Sequence, residues 1–87
     1  MTYRVVVTSP ALRGINRLPP KIHLAVAEFI NGPLAENPHR VGKPLRDDPT
    51  KRYTARVGVY RVIYRIEDQV HVVSVVRVGH RADIYRP

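Results

Sequence analysis

Arg52-Tyr-Thr-Ala-Arg-Val-Gly-Val-Tyr-Arg-Val-Ile-Tyr-Arg-Ile66 is the most strongly patterned stretch of this chain. β-Branched and aromatic residues alternate with cations at period two on both sides of Gly58, which predicts two strands joined by a tight turn. A two-residue loop at Val57-Gly58 pairs Arg56 with Val59 and Thr54 with Arg61. The hairpin then has an arginine face (Arg52, Arg56, Arg61 and Arg65) and a core face (Tyr53, Ala55, Tyr60, Val62, Tyr64 and Ile66).

The arginine face predicts an anionic partner. Like charges that are opposed across a sheet repel each other, so a hairpin gains no stability from gathering arginines on one side. The assignment depends on the loop, because a three-residue connection would move Arg61 to the opposite face from Arg56. Ordinary solvated cations on the open side of a sheet are the alternative interpretation.

The composition restricts the class of protein. The 87 residues are expected to form one domain over 1–87, and 15 Lys+Arg against 7 Asp+Glu give a net charge of +8, which favours an acidic or nucleic-acid partner. Without cysteine there is no disulfide or thiolate site. The four histidines lack zinc-motif spacing, so we expect no metal and no cofactor. Val5-Val6-Val7 is too short for a signal peptide or membrane span, which predicts a cytoplasmic protein without a membrane partner.

The first half of the chain predicts a strand followed by two helices. Valine-rich Thr2–Thr8 is typical of a strand, and Ser9-Pro10 supplies an N-cap and a first-turn proline for a helix. Pro19-Pro20 ends that helix and begins a second one, which Asn31-Gly32-Pro33 should stop, with a further turn over Leu34–Glu36 as the alternative. From Glu36 to Lys51 no hydrophobic period is visible, and loops of this length are usually functional or mobile.

The last part of the chain predicts one more strand. After a turn at Glu67-Asp68-Gln69, the segment Val70–Val78 is strand-like and Gly79 ends it. A three-residue turn would pair Arg61 with Val75 and add Arg77 and His71 to the arginine face. The element order β-α-α-β-β-β predicts an α+β fold, with an antiparallel sheet and the N-terminal helical hairpin packed on one face.

Three segments carry a resemblance to a known family. Lys43-Pro-Leu-Arg46, Gly58-Val-Tyr-Arg-Val-Ile-Tyr64 and Val78-Gly-His-Arg-Ala-Asp-Ile-Tyr85, in this order, resemble the RelE toxins of bacterial toxin–antitoxin pairs, especially actinobacterial members. The similarity covers essentially the whole chain. It implies the RelE-like microbial ribonuclease fold and an endoribonuclease that cuts mRNA in the A site of the 70S ribosome. A cognate RelB-like antitoxin would hold it inactive and would provide its only link to operator DNA.

The resemblance also implies roles for individual residues. Arg61 is similar to the family's phosphate-clamping arginine, Arg46 to its loop arginine, Arg81 to the arginine that serves the leaving group, and Tyr85 to the tyrosine that stacks on a substrate base. Arg56 stands at the place of a catalytic lysine. The remaining cations expected to bind RNA or the ribosome are Lys43, Lys51, Arg52, Arg65 and Arg77.

The residue that takes the proton is left open by the sequence. RNA cleavage without metal uses the ribose 2′-OH as nucleophile, and arginine suits the phosphate charge but is a poor base. Thr54 stands where the family has a second lysine. His80 resembles the terminal histidine of related toxins and is the chemically natural base, with a strand cap as its structural alternative. In a further alternative, the arginines stabilise charge while the ribosome aligns the RNA.

Two other functions compete with the ribonuclease. One is a ParE-like toxin of the same fold that inhibits gyrase and cuts nothing, and the other is a basic nucleic-acid-binding module without toxicity. Arg56, Arg61, Arg81 and Tyr85 occurring together favour the nuclease, since a gyrase binder has no need of that set. A duplex-DNA binder would carry a helix rich in Arg and Lys, and neither predicted helix shows this.

Overall fold

Five strands form a single sheet in the computed structural model, which describes residues 2–84. The strands are β1 (Arg4–Val7), β2 (Lys43–Pro44), β3 (Tyr53–Val57), β4 (Tyr60–Glu67) and β5 (Val72–His80), in the spatial order β1-β5-β4-β3-β2. The helices are α1 (Ser9–Asn16), α2 (Pro20–Phe29), α3 (Pro38–Val41) and α4 (Arg81–Ile84). The predicted α+β class is confirmed, and no helix in the described range is long and apolar enough to cross a membrane.

The direction of β1 differs from the expected antiparallel sheet. Strands β2 to β5 are joined antiparallel, but β1 lies parallel to β5, with Arg4 opposite Val72 and Val7 opposite Val75. The β1 backbone thereby supplies hydrogen-bond partners for the outer edge of β5, which would otherwise remain open. The sheet is therefore mixed, with its one parallel pair at this edge.

The helical segment packs on the core face and continues through the predicted stop. Thr8, rather than Ser9, caps α1, because its hydroxyl accepts from the Ala11 N–H at 3.4 Å. The expected stop at Asn31-Gly32-Pro33 is wrong, since the chain continues from α2 into a π-helical turn over Ile30–Leu34. Ile30 and Leu34 are both buried in the core, and this packing overrides the local breaking signal.

The β3–β4 hairpin keeps the predicted faces in a different register. The loop is Gly58-Val59, so that Val57 pairs with Tyr60 and Arg56 with Arg61, and the predicted pairing of Arg56 with Val59 is wrong. Gly58 takes φ of 63°, which a glycine at the first loop position adopts without strain. The register differs by two residues, and a shift by two preserves which side chains share a face.

The β4–β5 connection also differs from the expected three-residue turn. Glu67 pairs with Val72 across a four-residue turn, and β5 runs through Gly79 to His80. A bulge shifts the pairing between Ile63–Arg77 and Tyr64–Val75. Arg61 pairs with Gly79, so its predicted pairing with Val75 is wrong. Arg77 nevertheless reaches the arginine face, because it lies opposite Ile63.

His71 does not join the arginine face. It lies in the turn before β5 with φ of 55°, outside the ladder, and its ring stacks on Tyr3 with centroids 4.8 Å apart. The imidazole Nδ1 lies 2.9 Å from the Asp68 carbonyl, which only accepts, so Nδ1 donates. This residue therefore stabilises the turn.

Candidate active site

An open cleft of about 450 Å³ lies where the hairpin meets the chain before β2. One side, which we call the loop wall, is the segment 40–43, and the other side is the β3–β4 hairpin. The cleft, here named the arginine cleft, is lined by Arg40, Val41, Gly42, Lys43, Thr54, Ala55, Arg56 and Arg61. Four of these side chains are cationic and none is anionic, so the cleft suits a phosphate-bearing ligand.

Arg56 and Arg61 form the centre of the cleft. They are directly opposed in the β3–β4 pair, which places their Cβ atoms about 4.5–5.5 Å apart. Within residues 2–84 neither guanidinium forms an ion pair with a carboxylate. The side chain of Arg61 makes a long hydrogen bond, 3.4 Å, from Nη1 to the Tyr60 carbonyl. Two opposed guanidiniums without a carboxylate are arranged to share an external anion.

The loop wall is held by close packing against the hairpin. A Cβ at Gly42 would collide with the Tyr64 hydroxyl and would lie 2.7 Å from the Thr54 carbonyl, so only glycine fits there. The Tyr64 hydroxyl donates to the Pro38 carbonyl at 2.6 Å. Burial, reinforced by Tyr53, raises the pKa of Tyr64 to about 12, so it remains a neutral donor. Lys43 pairs with Thr54 across β2 and β3 and thus lies on the arginine face.

A cluster that the sequence analysis missed ties α3 to the β4–β5 turn. The Nε2 atom of His39 lies 2.8 and 3.0 Å from the two Asp68 oxygens, and its Nδ1 lies 3.3 Å from the Tyr53 hydroxyl. The Tyr3 hydroxyl donates to the same carboxylate at 2.6 Å. The hydrogen bonds from Tyr3 and then His39 lower the pKa of Asp68. His39 and Asp68 are 29 residues apart, so no local pattern could have indicated the pair.

The segment between β2 and β3 is organised by Asp48. Its carboxylate accepts from the Thr50 hydroxyl at 2.7 Å and from Arg52 Nε at 2.7 Å, and these bonds, Thr50 first, hold its pKa well below the usual range. Arg52 is therefore engaged within the chain. Arg46 and Lys51 are exposed in this segment but do not line the cleft.

Two other predicted cations lie on the arginine face outside the cleft. Arg65 is 3.6 Å from Glu67, a loose exposed ion pair. Arg77 is exposed next to Ile63. Both add positive potential around the cleft, whereas Arg40 is a cleft-lining cation that the sequence analysis did not select.

Of the predicted C-terminal residues, the two described ones, His80 and Arg81, do not line the arginine cleft. His80 pairs with Tyr60, on the core-face side, and the two rings meet edge to face at 5.6 Å. The Nδ1 atom of His80 accepts from the Ala82 N–H at 3.0 Å, so a neutral ring carries its proton on Nε2. A role as base would require this cap of α4 to open. Arg81 is exposed at the start of α4, and Tyr85 lies outside the described residues.

No group of three or more His, Cys, Asp or Glu side chains in residues 2–84 is arranged to hold a metal ion. The lining of the arginine cleft is instead cationic, which is the donor set for an anion. The chemistry that this site can offer is therefore binding of a phosphodiester and neutralisation of additional negative charge on it.

Comparisons with known proteins place the chain in a family of toxins. Residues 5–85 match the family model described as the ParE toxin of type II toxin–antitoxin systems. The chain is 50% identical to Toxin RelG of Mycobacterium tuberculosis over 99% of both chains, and 48% identical to Toxin RelE of the same organism over 97% of this chain and 87% of that one. The toxin–antitoxin complex RelBE2 from M. tuberculosis contains a chain with a TM-score of 0.87 and 46% identity, covering 93% of this chain and 100% of that chain.

The family model spans nearly all of the sequence, and the two named relatives are aligned along 99% and 87% of their lengths. The resemblance to RelE toxins read from the sequence is thereby confirmed. The chain belongs to the RelE/ParE family of toxins of type II toxin–antitoxin systems, and the relatives that it matches are of the RelE type.

Proposed function

We propose that this toxin is an endoribonuclease that cuts mRNA in the ribosomal A site and so inhibits translation. The observation that carries the proposal is the opposed pair of Arg56 and Arg61 in an open cationic cleft, without a carboxylate partner in the described chain. The RelE-type relatives support the same assignment.

The proposed reaction uses the ribose 2′-OH as internal nucleophile. The 2′-oxygen attacks the adjacent phosphorus, and the bond to the 5′-oxygen of the next nucleotide breaks. Negative charge accumulates on the phosphoryl oxygens in the transition state, and the fork of donors on Arg56 and Arg61 is suited to bind it. Arg81 would stabilise the leaving group, and Tyr85 would stack on a base, which requires a single-stranded or splayed RNA.

A RelB-like antitoxin is the proposed partner. The similar RelBE2 toxin from M. tuberculosis was solved as a toxin–antitoxin complex. An antitoxin neutralises this chain most directly by covering the arginine cleft or by moving the segment from His80 onward. A complex that leaves both the cleft and α4 as they are here would contradict that mode of inhibition.

Gyrase inhibition without cleavage is the second candidate, because the matching family model is named for ParE. A protein that only binds gyrase does not need two opposed arginines in a cleft. The two functions are separated by their products: a ribosome-dependent ribonuclease leaves new mRNA ends inside translated regions, whereas a gyrase inhibitor changes DNA supercoiling and leaves mRNA intact.

The test is primer extension on mRNA from cells that express the wild-type chain, Arg61→Ala or Arg13→Ala. Arg13 is an exposed arginine on α1 that does not line the arginine cleft, and it serves as the matched control. We expect new mRNA ends with the wild type and with Arg13→Ala, and a loss of about 10²- to 10³-fold with Arg61→Ala. Intact mRNA together with relaxed plasmid DNA would instead identify a gyrase inhibitor.

The same assay examines the C-terminal residues. His80→Asn keeps a side-chain acceptor for the Ala82 N–H, whereas His80→Ala removes it. If His80 acts by capping α4, the asparagine variant cuts mRNA and the alanine variant is impaired; if it acts as base, both variants lose activity. Arg81→Ala should be inactive, and Tyr85→Phe should retain most activity because the phenyl ring still stacks.

A further inference from the structure

We propose that Lys43 is the proton donor of the arginine cleft, and that its ammonium group protonates the 5′-oxygen as this oxygen leaves the phosphorus. The inference rests on the proposed cleavage and deepens it. It assigns to the loop wall a chemical step, in addition to binding.

The first observation in favour of Lys43 is the composition of the cleft. Of its described lining residues, Arg40, Arg56 and Arg61 are guanidinium groups, which do not release a proton in proteins. Val41, Gly42 and Ala55 have no exchangeable side-chain proton, and a threonine hydroxyl such as that of Thr54 is a very weak acid. The ammonium of Lys43 is the one lining group in the described chain that can give a proton to an oxygen and recover it from water.

The second observation is the position of Lys43 in the pairing of β2 with β3. Lys43 lies directly opposite Thr54, and Arg56 follows two residues later on the same face of β3. Lys43 and Arg56 are therefore diagonal neighbours, with about 7–8 Å between their positions, a separation that long side chains bridge. A phosphodiester held between Arg56 and Arg61 lies within reach of the Lys43 ammonium.

The third observation is that the loop wall is held in a fixed position. Gly42, directly before Lys43, packs against the Tyr64 hydroxyl and the Thr54 carbonyl. Tyr64 also binds the Pro38 carbonyl, and His39 ties α3 to Asp68. The backbone that carries Lys43 is thus anchored from both sides, which is the pre-organisation that proton transfer requires.

The other candidate donors are less well placed. His80 lies with Tyr60 on the core-face side of the sheet, and its Nδ1 is occupied by the Ala82 N–H. Arg81 can stabilise charge on the leaving oxygen, but as a guanidinium it does not neutralise that oxygen by proton transfer.

The step balances in atoms and charge. The 2′-OH loses its proton to solvent, its oxygen forms a bond to phosphorus, and the bond from phosphorus to the 5′-oxygen breaks. The 5′-oxygen takes a proton from Lys43 Nζ and leaves as a hydroxyl, and the other product is a 2′,3′-cyclic phosphate. The resulting neutral amine regains a proton from water, and no metal, oxidant or other co-reactant is consumed.

The test compares two mRNAs, each bound in 70S ribosomes. They differ in one atom of the linkage in the A site: the leaving atom is the natural 5′-oxygen in one and a 5′-bridging sulfur in the other. A thiolate leaves without protonation, because a thiol is a far stronger acid than an alcohol. Single-turnover cleavage is measured for the wild type, Lys43→Ala, Lys43→Arg, Arg40→Ala and Lys21→Ala. Lys21 is an exposed lysine on α2, outside the cleft, and each variant is first checked for an unchanged melting temperature.

We expect both Lys43 variants to cleave the oxygen substrate about 10²- to 10⁴-fold more slowly than the wild type. On the sulfur substrate Lys43→Arg, which keeps the charge, should approach the wild-type rate, and Lys43→Ala should retain only a loss of the size that Arg40→Ala shows. Arg40→Ala, which removes a charge but no proton donor, should show equal losses on the two substrates, and Lys21→Ala should cleave both normally.

Three outcomes would overturn the assignment. Wild-type cleavage of the oxygen substrate by Lys43→Arg would show that a positive charge is sufficient. An equal defect of Lys43→Ala on both substrates would reduce Lys43 to phosphate binding. Failure of the wild-type chain to cut either mRNA would overturn the proposed ribonuclease itself, and the assignment with it, which distinguishes this result from the first two.

Discussion

The two faces of the β3–β4 hairpin share one backbone but differ in burial and in charge. On the core face Ala55, Val62 and Tyr64 are at most 3% exposed, and the Tyr64 hydroxyl has a buried acceptor. On the arginine face Arg56 and Arg61 are opposed, with no carboxylate partner within residues 2–84. The core face is arranged for stability, while the arginine face gives up some stability to present charge. A face that is unfavourable for folding and still ordered is where function is expected.

The largest change in stability among these predictions is expected at the Tyr64 hydroxyl on the core face. In Tyr64→Phe the ring packing is retained but the buried Pro38 carbonyl loses its donor, which should cost about 1–3 kcal/mol of unfolding free energy. Urea denaturation followed by circular dichroism measures this loss. Tyr60→Phe, at a half-buried tyrosine outside the hydrophobic core cluster, is the control and should be close to neutral. Equal stability of the two variants would show that the Tyr64 hydroxyl is unimportant.

On the arginine face, in contrast, a substitution should increase the unfolding free energy. Arg56→Gln removes a like-charge pair, so we expect a gain of about 0.2–1 kcal/mol at low ionic strength, accompanied by loss of mRNA cleavage. The gain should shrink in 1 M salt, where charges are screened over about 3 Å. Arg65→Gln is the matched control, because Arg65 has Glu67 nearby and should show no gain. Destabilisation by Arg56→Gln would show that the arginine pair contributes to folding.

The smallest effect should come from acid, through the carboxylates that organise the loop wall and its neighbours. The pKa values of Asp48 and Asp68 are lowered in the folded chain, so the unfolded chain binds more protons as the pH falls through the ordinary aspartate range near 3.9. Their stabilising contribution is therefore complete above about pH 5 and is lost progressively below it. Thermal melts from pH 6 to pH 2 should show this decline.

Two variants test whether the lowered aspartate pKa values cause this decline in thermal stability at low pH. Asp68→Asn should flatten the decline, because one of the two carboxylates no longer titrates. Asn16→Asp adds an exposed carboxylate at the end of α1 and should leave the slope between pH 5 and pH 3 nearly unchanged. A melting temperature that is independent of pH over this range would contradict the role of both aspartates.

Much of the hairpin was predictable from its residues. Alternation at period two assigned Tyr64 to the core and Arg61 to the open face without knowledge of the register, since the observed two-residue shift leaves the faces unchanged. The predicted loop, Val57-Gly58, is wrong because the observed loop, Gly58-Val59, has its positive φ at the first position, where the glycine supplies it.

Local pattern was therefore sufficient for the four long strands, the first two helices, the two faces and the concentration of positive charge, because all of these follow from the spacing of side chains along one strand or helix. It did not indicate the short elements α3, β2 and α4. Three features of the site needed contacts between distant parts of the chain: Lys43 opposite Thr54, the bulge that places Arg77 with the arginines, and His80 turned toward Tyr60. Each depends on which strand lies beside which and in what register. Packing of the whole core sets that register, and it leaves no signal in a short window of sequence.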